Sequence, residues 1–542
     1  MTNSIADIHC ANVLLVTGSN TTEAHPVLAL EMKAAVRRHG ARLILVDPRE
    51  IELSEFAAVH LRPRSGTDVA ILNAIAHVII VEGLLDREFI EARTENYAAL
   101  EAAVAECTPG WAEGVSGVPA DLIVEAARLY GGAADAAIFW AMGITQSSHG
   151  VDNVQALANL ALLTGNFGRP GTGVNPLRGQ NNVQGACDVG GLPNVLTGYQ
   201  PVADPAVRAK FQRAWATSDP LPAVPGLTVT EMMNAALQGG IRALFIMGEN
   251  PLLSDPNLNH VAEAVASLEF LVVQDIFLNE TAREADVVLP GVSFAEKEGT
   301  YTNTERRVQR VRAAMPPRTG ARRDLDIICA LGTRLGGSNG NHPPVGPRPT
   351  SDWNYPDAAA VWNEIADLTP SLAGISYARL DGDGLQWPCP APDHPGTPIL
   401  HREKFTRGLG RFAAVGFREP VENPDGDYPF VLNTGRILQH WHGGTLSRRS
   451  VGLNALVPRG EIEINARDAA ELKIANGDPV RVESRRGAVT GAARLSDRLP
   501  RGMLFMNFHF AEMPTNALTG DALDPIAKIP EFKVSAVRIQ RV

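Results

Sequence analysis

The sequence predicts an α/β protein: two doubly wound α/β units followed by a compact, β-rich, barrel-like domain. Three observations predict it. Near the N-terminus an apolar run, a small-residue turn, a helical stretch and a second apolar run follow one another as strand, turn, helix and strand. The alternation restarts after residue 240, and after residue 401 the texture changes to short β-type runs between tight turns. The chain has 542 residues, 45% apolar and 20% charged, which is enough to bury several cores and is not the composition of a disordered chain.

Residues 13–16 form the first apolar run and end in Gly18-Ser19-Asn20; Val27, Leu28, Met32 and Val36 then recur near helical spacing over residues 24–38. The run at 43–46 delivers Asp47-Pro48-Arg49, completing a βαβ half with an acid at the end of its second strand. A helix over 68–81 follows Ser65-Gly66-Thr67, and the run at 137–140 leads into Gly143. Residues 1–180 therefore read as one α/β domain. In the second unit, residues 181–290, apolar runs at 243–247, 270–273 and 287–289 precede Gly248-Glu249-Asn250-Pro251, Gln274-Asp275 and Pro290. Residues 291–400 read as a connecting segment, since 336–350 and 381–398 are too dense in Gly and Pro for long regular elements. Residues 401–542 carry strand patterns at 429–432, 461–464, 480–483, 489–495 and 503–506, with turns at Asn476-Gly477-Asp478 and Arg486-Gly487, and form the β-barrel domain.

The net charge of -11 supplies no field to attract a phosphate backbone, so nucleic acid is not an expected partner. No apolar stretch reaches the ~18 residues of a membrane helix, and residues 1–32 contain neither Lys nor Arg, so neither membrane insertion nor a secretion leader is expected and the chain reads as cytoplasmic. Cys10, Cys107, Cys187, Cys329 and Cys389 stand far apart, which argues against a disulfide framework, a zinc ribbon or a local iron–sulfur site.

The turn Gly18-Ser19-Asn20 lacks the G-x-G-x-x-G pattern; at a helix start it suits a phosphate, or serves as a tight βα turn without a ligand. Asp47 could accept from ribose hydroxyls or a guanine edge, or pair with Arg49. Residues 175–191, NPLRGQNNVQGACDVGG, hold five side-chain amides and four glycines around a single cation, Arg178, and a single anion, Asp188. Such a loop suits a buried cavity wall with Arg178 aimed at an anion, the alternative being an anchor in which Arg178 pairs with Asp188 or backbone carbonyls. Cys187 reads as structural. His440-Trp441-His442 offers two imidazoles without a third ligand, which favours hydrogen bonding or pocket lining over a metal site. Asp286, Glu296 and Glu298 read as caps or solvated acids.

Together these segments resemble the molybdenum or tungsten bis(molybdopterin guanine dinucleotide) oxidoreductases, and within them the catalytic alpha subunit of formate dehydrogenase. The most specific piece is NPLRGQNNVQGACDVG (175–190), supported by MGITQSSHG (142–150), MGENPL (247–252), ADVVLPGVSFAEKEGTYTNTERRVQR (285–310), HWHGGTLSRRS (440–450) and DPIAKIPEFK (524–533). The resemblance implies two Rossmann-like doubly wound units with a C-terminal β-barrel, as in dimethyl sulfoxide reductase and formate dehydrogenase. It implies that Gly18, Asn20, Asp47, Arg49, Gly66, Asp68, Gly143 and Gln146 hold one guanine dinucleotide and that Gly248, Asn250, Gln274 and Asp275 face the other. Thr434, Arg436, His440, Asn516 and Lys533 match positions near the pterins, Arg178 pairs with the formate carboxylate, and Gln180 lines the substrate position. The implied function is oxidation of formate to carbon dioxide in a soluble, NAD-linked assembly with iron–sulfur and flavin subunits. The alternatives are a cofactor-free structural subunit of an electron-transfer complex and another oxidoreductase of the same cofactor class. In the family a [4Fe-4S] domain and a metal-ligating Cys or selenocysteine with a neighbouring His come before the stretch that Met1-Thr2-Asn3-Ser4-Ile5 resembles. No metal-ligating residue is therefore carried over, and activity is expected only with that segment supplied.

Overall fold

The computed structural model describes residues 1–216, 220–336, 353 and 355–542; the loop expected at 336–350 lies, apart from Gly336, outside the described residues. They form two compact units, one of residues 1–179, 251–262 and 399–542, the other of residues 180–250 and 263–398.

The first unit contains a five-stranded parallel sheet of β1 (Val13–Thr17), β2 (Arg42–Val46), β3 (Ala57–Leu61), β4 (Ala136–Trp140) and β5 (Gly173–Pro176), in the order β3-β2-β1-β4-β5. A parallel sheet is covered on both faces, so its strands are apolar without alternation. Successive residues feed two separate cores: Val13, Leu15, Ile44, Val46 and Ile138 on one side, Leu14, Val16, Leu43, Leu45, Ala137 and Phe139 on the other. The helices include α1 (Pro26–His39), α2 (Asp68–Val81), α3 (Ala120–Gly131) and α4 (Gly150–Leu163). The helix expected over 24–38 starts instead at Pro26, because proline fits the first helical position and a separate turn, Thr21–Ala24, precedes it; Gly40, at φ +75°, ends it. Helix α2 falls where its sequence pattern puts it.

In the second unit, β6 (Ala243–Met247), β7 (Phe270–Asp275) and β8 (Val287–Pro290) form a parallel sheet in the order β8-β7-β6. The hairpin of β9 (Gly299–Thr302) and β10 (Arg307–Val311) pairs with the two-residue β11 (Leu385–Gln386), the one strand in the Gly- and Pro-dense stretch 381–398. At the hairpin turn Arg306 is 2% exposed and donates to the carbonyls of Thr397 (2.9 Å), Pro398 (3.0 Å) and Trp387. One guanidinium thus closes a loop that has few ladder bonds of its own.

The first unit also contains a closed six-stranded barrel of β12 (Phe430–Gly435), β13 (Glu461–Asn465), β14 (Pro479–Glu483), β15 (Ala488–Ser496), β16 (Met503–Asn507) and β17 (Ser535–Arg541), in the order β12-β16-β13-β15-β14-β17. The five runs read from sequence are five of these strands. The sixth, β17, closes the barrel by pairing with both β12 and β14 and so leaves no free edge. The parallel sheets and terminal barrel are the architecture expected from the sequence.

Candidate functional site

In the first unit the strand order reverses at β1, between β2 and β4, the position where open α/β sheets leave a crevice at their carboxyl ends. Gly18 follows the end of β1 and Gly143 lies just after the end of β4, and the two touch: the Gly143 N–H donates to the Gly18 carbonyl at 2.9 Å, and a Cβ on Gly143 would stand 2.5 Å from the Gly18 Cα. Glycine is needed there for close approach of two backbones. Gly66, at φ +83°, has the same kind of reason, because a Cβ would meet Pro420 Cγ at 2.3 Å. Asn20 is held by its own turn, donating to Glu23 (2.8 Å) and accepting from Thr22 (3.0 Å). Gln146 lies half-buried just after the turn Met142–Thr145.

The end of β2 and the barrel bring four expected residues together from opposite ends of the sequence. Asp47 is buried, and its Oδ1 accepts from the Arg49 N–H at 2.9 Å. Burial raises its carboxyl above the usual range, opposed by the Arg49 guanidinium, the Arg49 N–H, His60 and Lys533. The Arg49 guanidinium lies 3.8 Å from the centroid of the Phe505 ring on β16. Lys533 donates to the Thr434 carbonyl at 2.5 Å, while the Thr434 hydroxyl donates to the Phe532 carbonyl at 2.8 Å, pinning the lysine to the end of β12. Burial, then Arg49 and Arg436, press the Lys533 amine down to about 7. Asp68, the first residue of α2, is pushed up to about 7 by burial, with Asp47 adding to the effect.

Arg436 follows β12. Its Nη1 is buried with no hydrogen-bond partner, its Nη2 donates to the His442 ring (3.0 Å to Nε2), and burial pulls the guanidinium down to about 10. The His442 imidazole, pressed to about 3 by burial and by Arg436, is neutral and accepts. Among the described residues neither Arg49, Arg436 nor Lys533 has a carboxylate within ion-pair distance. All three are half-buried, and a partly desolvated cation without a counter-ion is unfavourable in a bare protein and natural beside a bound anion. A side chain on Gly179 would stand 2.7 Å from Arg436 Nη2, so the residue after Arg178 must be small.

Asn516 donates to the carbonyls of Ser254 (2.9 Å) and Leu253 (3.3 Å), and its buried Oδ1 has no partner. His440 is a hydrogen-bonding residue: Nε2 donates to the Val457 carbonyl at 2.7 Å and Nδ1 accepts from Ser447 at 3.3 Å. In the segment DPIAKIPEFK, Asp524 accepts from the Val151 N–H (3.0 Å), and Glu531 from the Ser148 N–H (3.0 Å) and hydroxyl (2.7 Å), so its acids serve the start of α4 while Lys533 faces the cluster.

Arg178 is exposed, and its carbonyl accepts from His25 Nε2 at 2.9 Å. Gln180 and Asn181 are exposed as well, whereas Asn175, Leu177, Gln184 and Asp188 are buried, so the amide-rich loop is anchored at both ends and exposed in its middle. Its C-terminal part is fixed by the short helix α5 (Val183–Asp188): Asp188 accepts from Gln184 (2.7 Å), Tyr199 (2.8 Å) and the Trp387 indole (2.6 Å).

In the second unit Asn250 accepts from the Thr281 N–H (3.1 Å) and hydroxyl (2.8 Å) and donates to Glu280 (2.7 Å); Asp275 accepts from the Phe277 N–H and the Asn279 amide, both at 3.0 Å. Gln274, 1% exposed, donates to Asp324 at 2.6 Å and keeps a buried Oε1 without a partner. Gly248, at φ +66°, has open space around it and, with Gln180, Asn182, Lys297 and Arg323, lines a cavity of about 580 Å³. Of the three acids read as caps or solvated, Asp286 accepts from the Leu271 N–H (2.7 Å) and Glu296 caps its own turn through Ser293. Glu298 lies on the wall of the same cavity.

A larger cavity in the first unit, about 1050 Å³, is lined by Asn20, Arg49, Phe505 and Asn507, whose Oδ1 is also buried and unpartnered. Phe505, Asn507 and His25 belong to this site and carry no motif; only the closure of the barrel and the packing of α1 bring them in. Among the described residues no group of three or more His, Cys, Asp or Glu side chains could hold a metal ion. The cavity wall mixes Arg49, Arg459, Arg494 and Arg498 with Glu23, Glu50, Glu52, Glu461, Glu463 and Asp497; it is Arg49, Arg436 and Lys533, which have no ion-pair partner among the described residues, that fit an anionic dinucleotide cofactor.

Comparison with known proteins defines the class. Residues 1–334 match the molybdopterin oxidoreductase family and residues 430–536 match the molybdopterin dinucleotide-binding domain, and the chain belongs to this family of oxidoreductases. Within it, the chain is 48% identical over its whole length to the F420-dependent formate dehydrogenase subunit alpha of Methanocaldococcus jannaschii, spanning 78% of that protein, and 39% identical to formate dehydrogenase H of Escherichia coli, spanning 74%. The motif-based resemblance to formate dehydrogenase alpha subunits therefore holds over the whole chain. The fold is similar to that of acetylene hydratase from Pelobacter acetylenicus, with a TM-score of 0.76, 19% identity, and coverage of 100% of this chain and 79% of that one.

Proposed function

We propose that the chain is the catalytic alpha subunit of a formate dehydrogenase, holding a bis(molybdopterin guanine dinucleotide) with molybdenum or tungsten and oxidising formate to carbon dioxide, a proton and two electrons. The observation that carries this reading is Arg436: a desolvated guanidinium with one buried nitrogen unsatisfied, near Lys533, which Arg49 also approaches. In the first unit Arg49, Arg436, Lys533 and Asn516 would hold a guanine dinucleotide; in the second unit, taken by itself, Gln274 and Gly248 are the residues left open to a nucleotide. When bound, the cofactor supplies the two-electron acceptor through a sulfur-ligated metal. The chain's own part is to hold formate: Arg178 provides a fork of donors matched to a carboxylate, and Gln180 an amide beside it. Arg178 is exposed, which leaves it open to a small anion.

The acceptor expected from sequence is NAD, through flavin and iron–sulfur subunits; three similar relatives are named F420-dependent. Assaying formate oxidation with NAD and with F420 separates the two. Among the described residues no helix is long and apolar enough to cross a membrane, which is compatible with a cytoplasmic site of action. The test of the reading is metal and guanine-nucleotide analysis of the purified chain together with formate turnover once the family's metal-ligating segment is supplied. A chain without metal or nucleotide, held in a larger complex, would identify a structural subunit instead; turnover of nitrate but not formate would identify another member of the class.

A further inference from the structure

We propose that His25 is a positioning residue for the substrate: its Nε2–H holds the backbone of Arg178, so that the guanidinium meets the formate carboxylate from a fixed stretch of chain. The inference rests on the reading of Arg178 as the formate-binding residue and adds to it the group that places it.

Arg178 carries an exposed side chain on a backbone held from three sides. One residue earlier, Leu177 is 4% exposed, and its N–H donates at 2.8 Å to the carbonyl of Trp140, the last residue of β4. One residue later, Gly179 lies so close to Arg436 that a Cβ would stand 2.7 Å from Nη2. Between them the Arg178 carbonyl accepts from His25 Nε2 at 2.9 Å.

His25 is itself well fixed. It ends the turn Thr21–Ala24 and precedes α1: its N–H donates to the Thr21 carbonyl (2.9 Å), and its own carbonyl accepts from the Ala29 N–H (3.0 Å). Pro26 beside it disfavours the helical backbone conformation, and His25 sits at φ −142° and ψ 59°. The histidine thus ties the segment that follows β1 to the one that follows β5, with β4 lying between those strands in the sheet. A carbonyl has no proton to give, so the imidazole proton is on Nε2. Nδ1 is buried with no partner, and a second proton there would go unsatisfied. A neutral ring with one settled tautomer makes a permanent tie, and a backbone so placed spares the binding step part of the ordering that an arginine on a loop otherwise undergoes.

The hold on the carboxylate is present in bound formate and in the transition state alike, so loosening it acts on binding rather than on the chemical step. The test is steady-state formate kinetics of the full chain assembled with the family's metal-ligating segment and loaded with cofactor, with metal and guanine-nucleotide content measured on each sample. His25→Phe keeps a ring and removes the donor; the formate KM should rise about tenfold while kcat changes by less than about twofold. A fall in kcat or in cofactor content at unchanged KM is what a merely structural role gives, and it would overturn the proposal. His25→Gln puts an amide N–H near the place of Nε2 and should bring KM back to within about twofold of the unsubstituted enzyme; a KM as high as in His25→Phe would remove the hydrogen bond from the account. In an Arg178→Lys background His25→Phe should add nothing to KM, because the two residues act as one unit, whereas a further rise of about tenfold would mean that His25 acts elsewhere. If Arg178→Lys itself leaves formate kinetics unchanged, the substrate reading of Arg178 falls and the proposal with it; if that variant loses formate and His25→Phe does not, the positioning role alone falls. A measurement independent of turnover is the heteronuclear NMR spectrum of the cofactor-free full chain with labelled histidine, the His25 signals being those absent from His25→Gln. A proton on Nε2 and none on Nδ1 is expected at neutral pH, and the opposite tautomer would contradict the tie to Arg178.

Discussion

The carboxyl ends of the two parallel sheets carry polar residues in similar sequence settings, an apolar run opening on a small-residue turn, yet they use them differently. In the first unit, Arg49, Arg436 and Lys533 have no ion-pair partner among the described residues, and a buried guanidinium nitrogen of Arg436 is left unsatisfied. In the second unit, Asn250 and Asp275 spend their hydrogen-bonding capacity on neighbouring backbone and side chains, and only the Gln274 carbonyl oxygen is left over. The first arrangement is unfavourable until an anion binds; the second is largely complete in the protein itself. A polar residue at a strand end is therefore weak evidence for a ligand, and an unmet charge there is strong evidence.

Substitutions can break or sharpen that contrast. The largest stability effect is expected in the second unit, from Arg306→Leu: the buried guanidinium that ties three carbonyls is lost, and unfolding should become easier by about 3 kcal/mol, read as a lower denaturation midpoint. In the first unit the expected losses fall on ligands. Arg178→Lys removes the bidentate fork, and formate turnover of the loaded enzyme should fall by about 10- to 100-fold, since a charge-assisted bond to an anion contributes roughly 1.5 to 3 kcal/mol; unchanged turnover would remove Arg178 from the substrate site. Arg436→Met should lower cofactor occupancy by roughly tenfold while leaving the cofactor-free protein as stable as before or more so, because it deletes a desolvated cation. A large loss of stability in that variant would mean that Arg436 is a structural anchor. The smallest effect, about 1 kcal/mol of stability with no change in cofactor content, is expected for Asn250→Ala, which deletes a local tie of the kind a helix cap provides.

What the sequence made legible depended on whether the cause was local. Helix α2 was readable because its pattern is continuous, and five barrel strands because each sits between turn residues. The start of α1 shifted because Pro26 restarts the helix after a one-turn segment, and β17 was not anticipated because its role is to pair two strands distant in sequence. In the site, Asp47, Arg49, Arg436 and Lys533 were readable through motif resemblance, while their convergence comes from barrel and sheet sharing one compact unit. His25, Phe505 and Asn507 had no sequence signal, since a ring beneath a guanidinium is a fact of tertiary packing. The amide-rich loop misled in one respect: its composition suggested burial throughout, but it is buried at its two ends, and Arg178, Gln180 and Asn181 between them stand exposed.

The most direct test of the central claim, that the unmet cations exist for an anionic dinucleotide cofactor, is the nucleotide content of the full chain purified from cells that make molybdopterin cofactors. Acid release should yield guanine nucleotide together with molybdenum or tungsten, and the yield should drop in Arg436→Met. A folded chain that releases neither, with the substitution making no difference, would contradict the account.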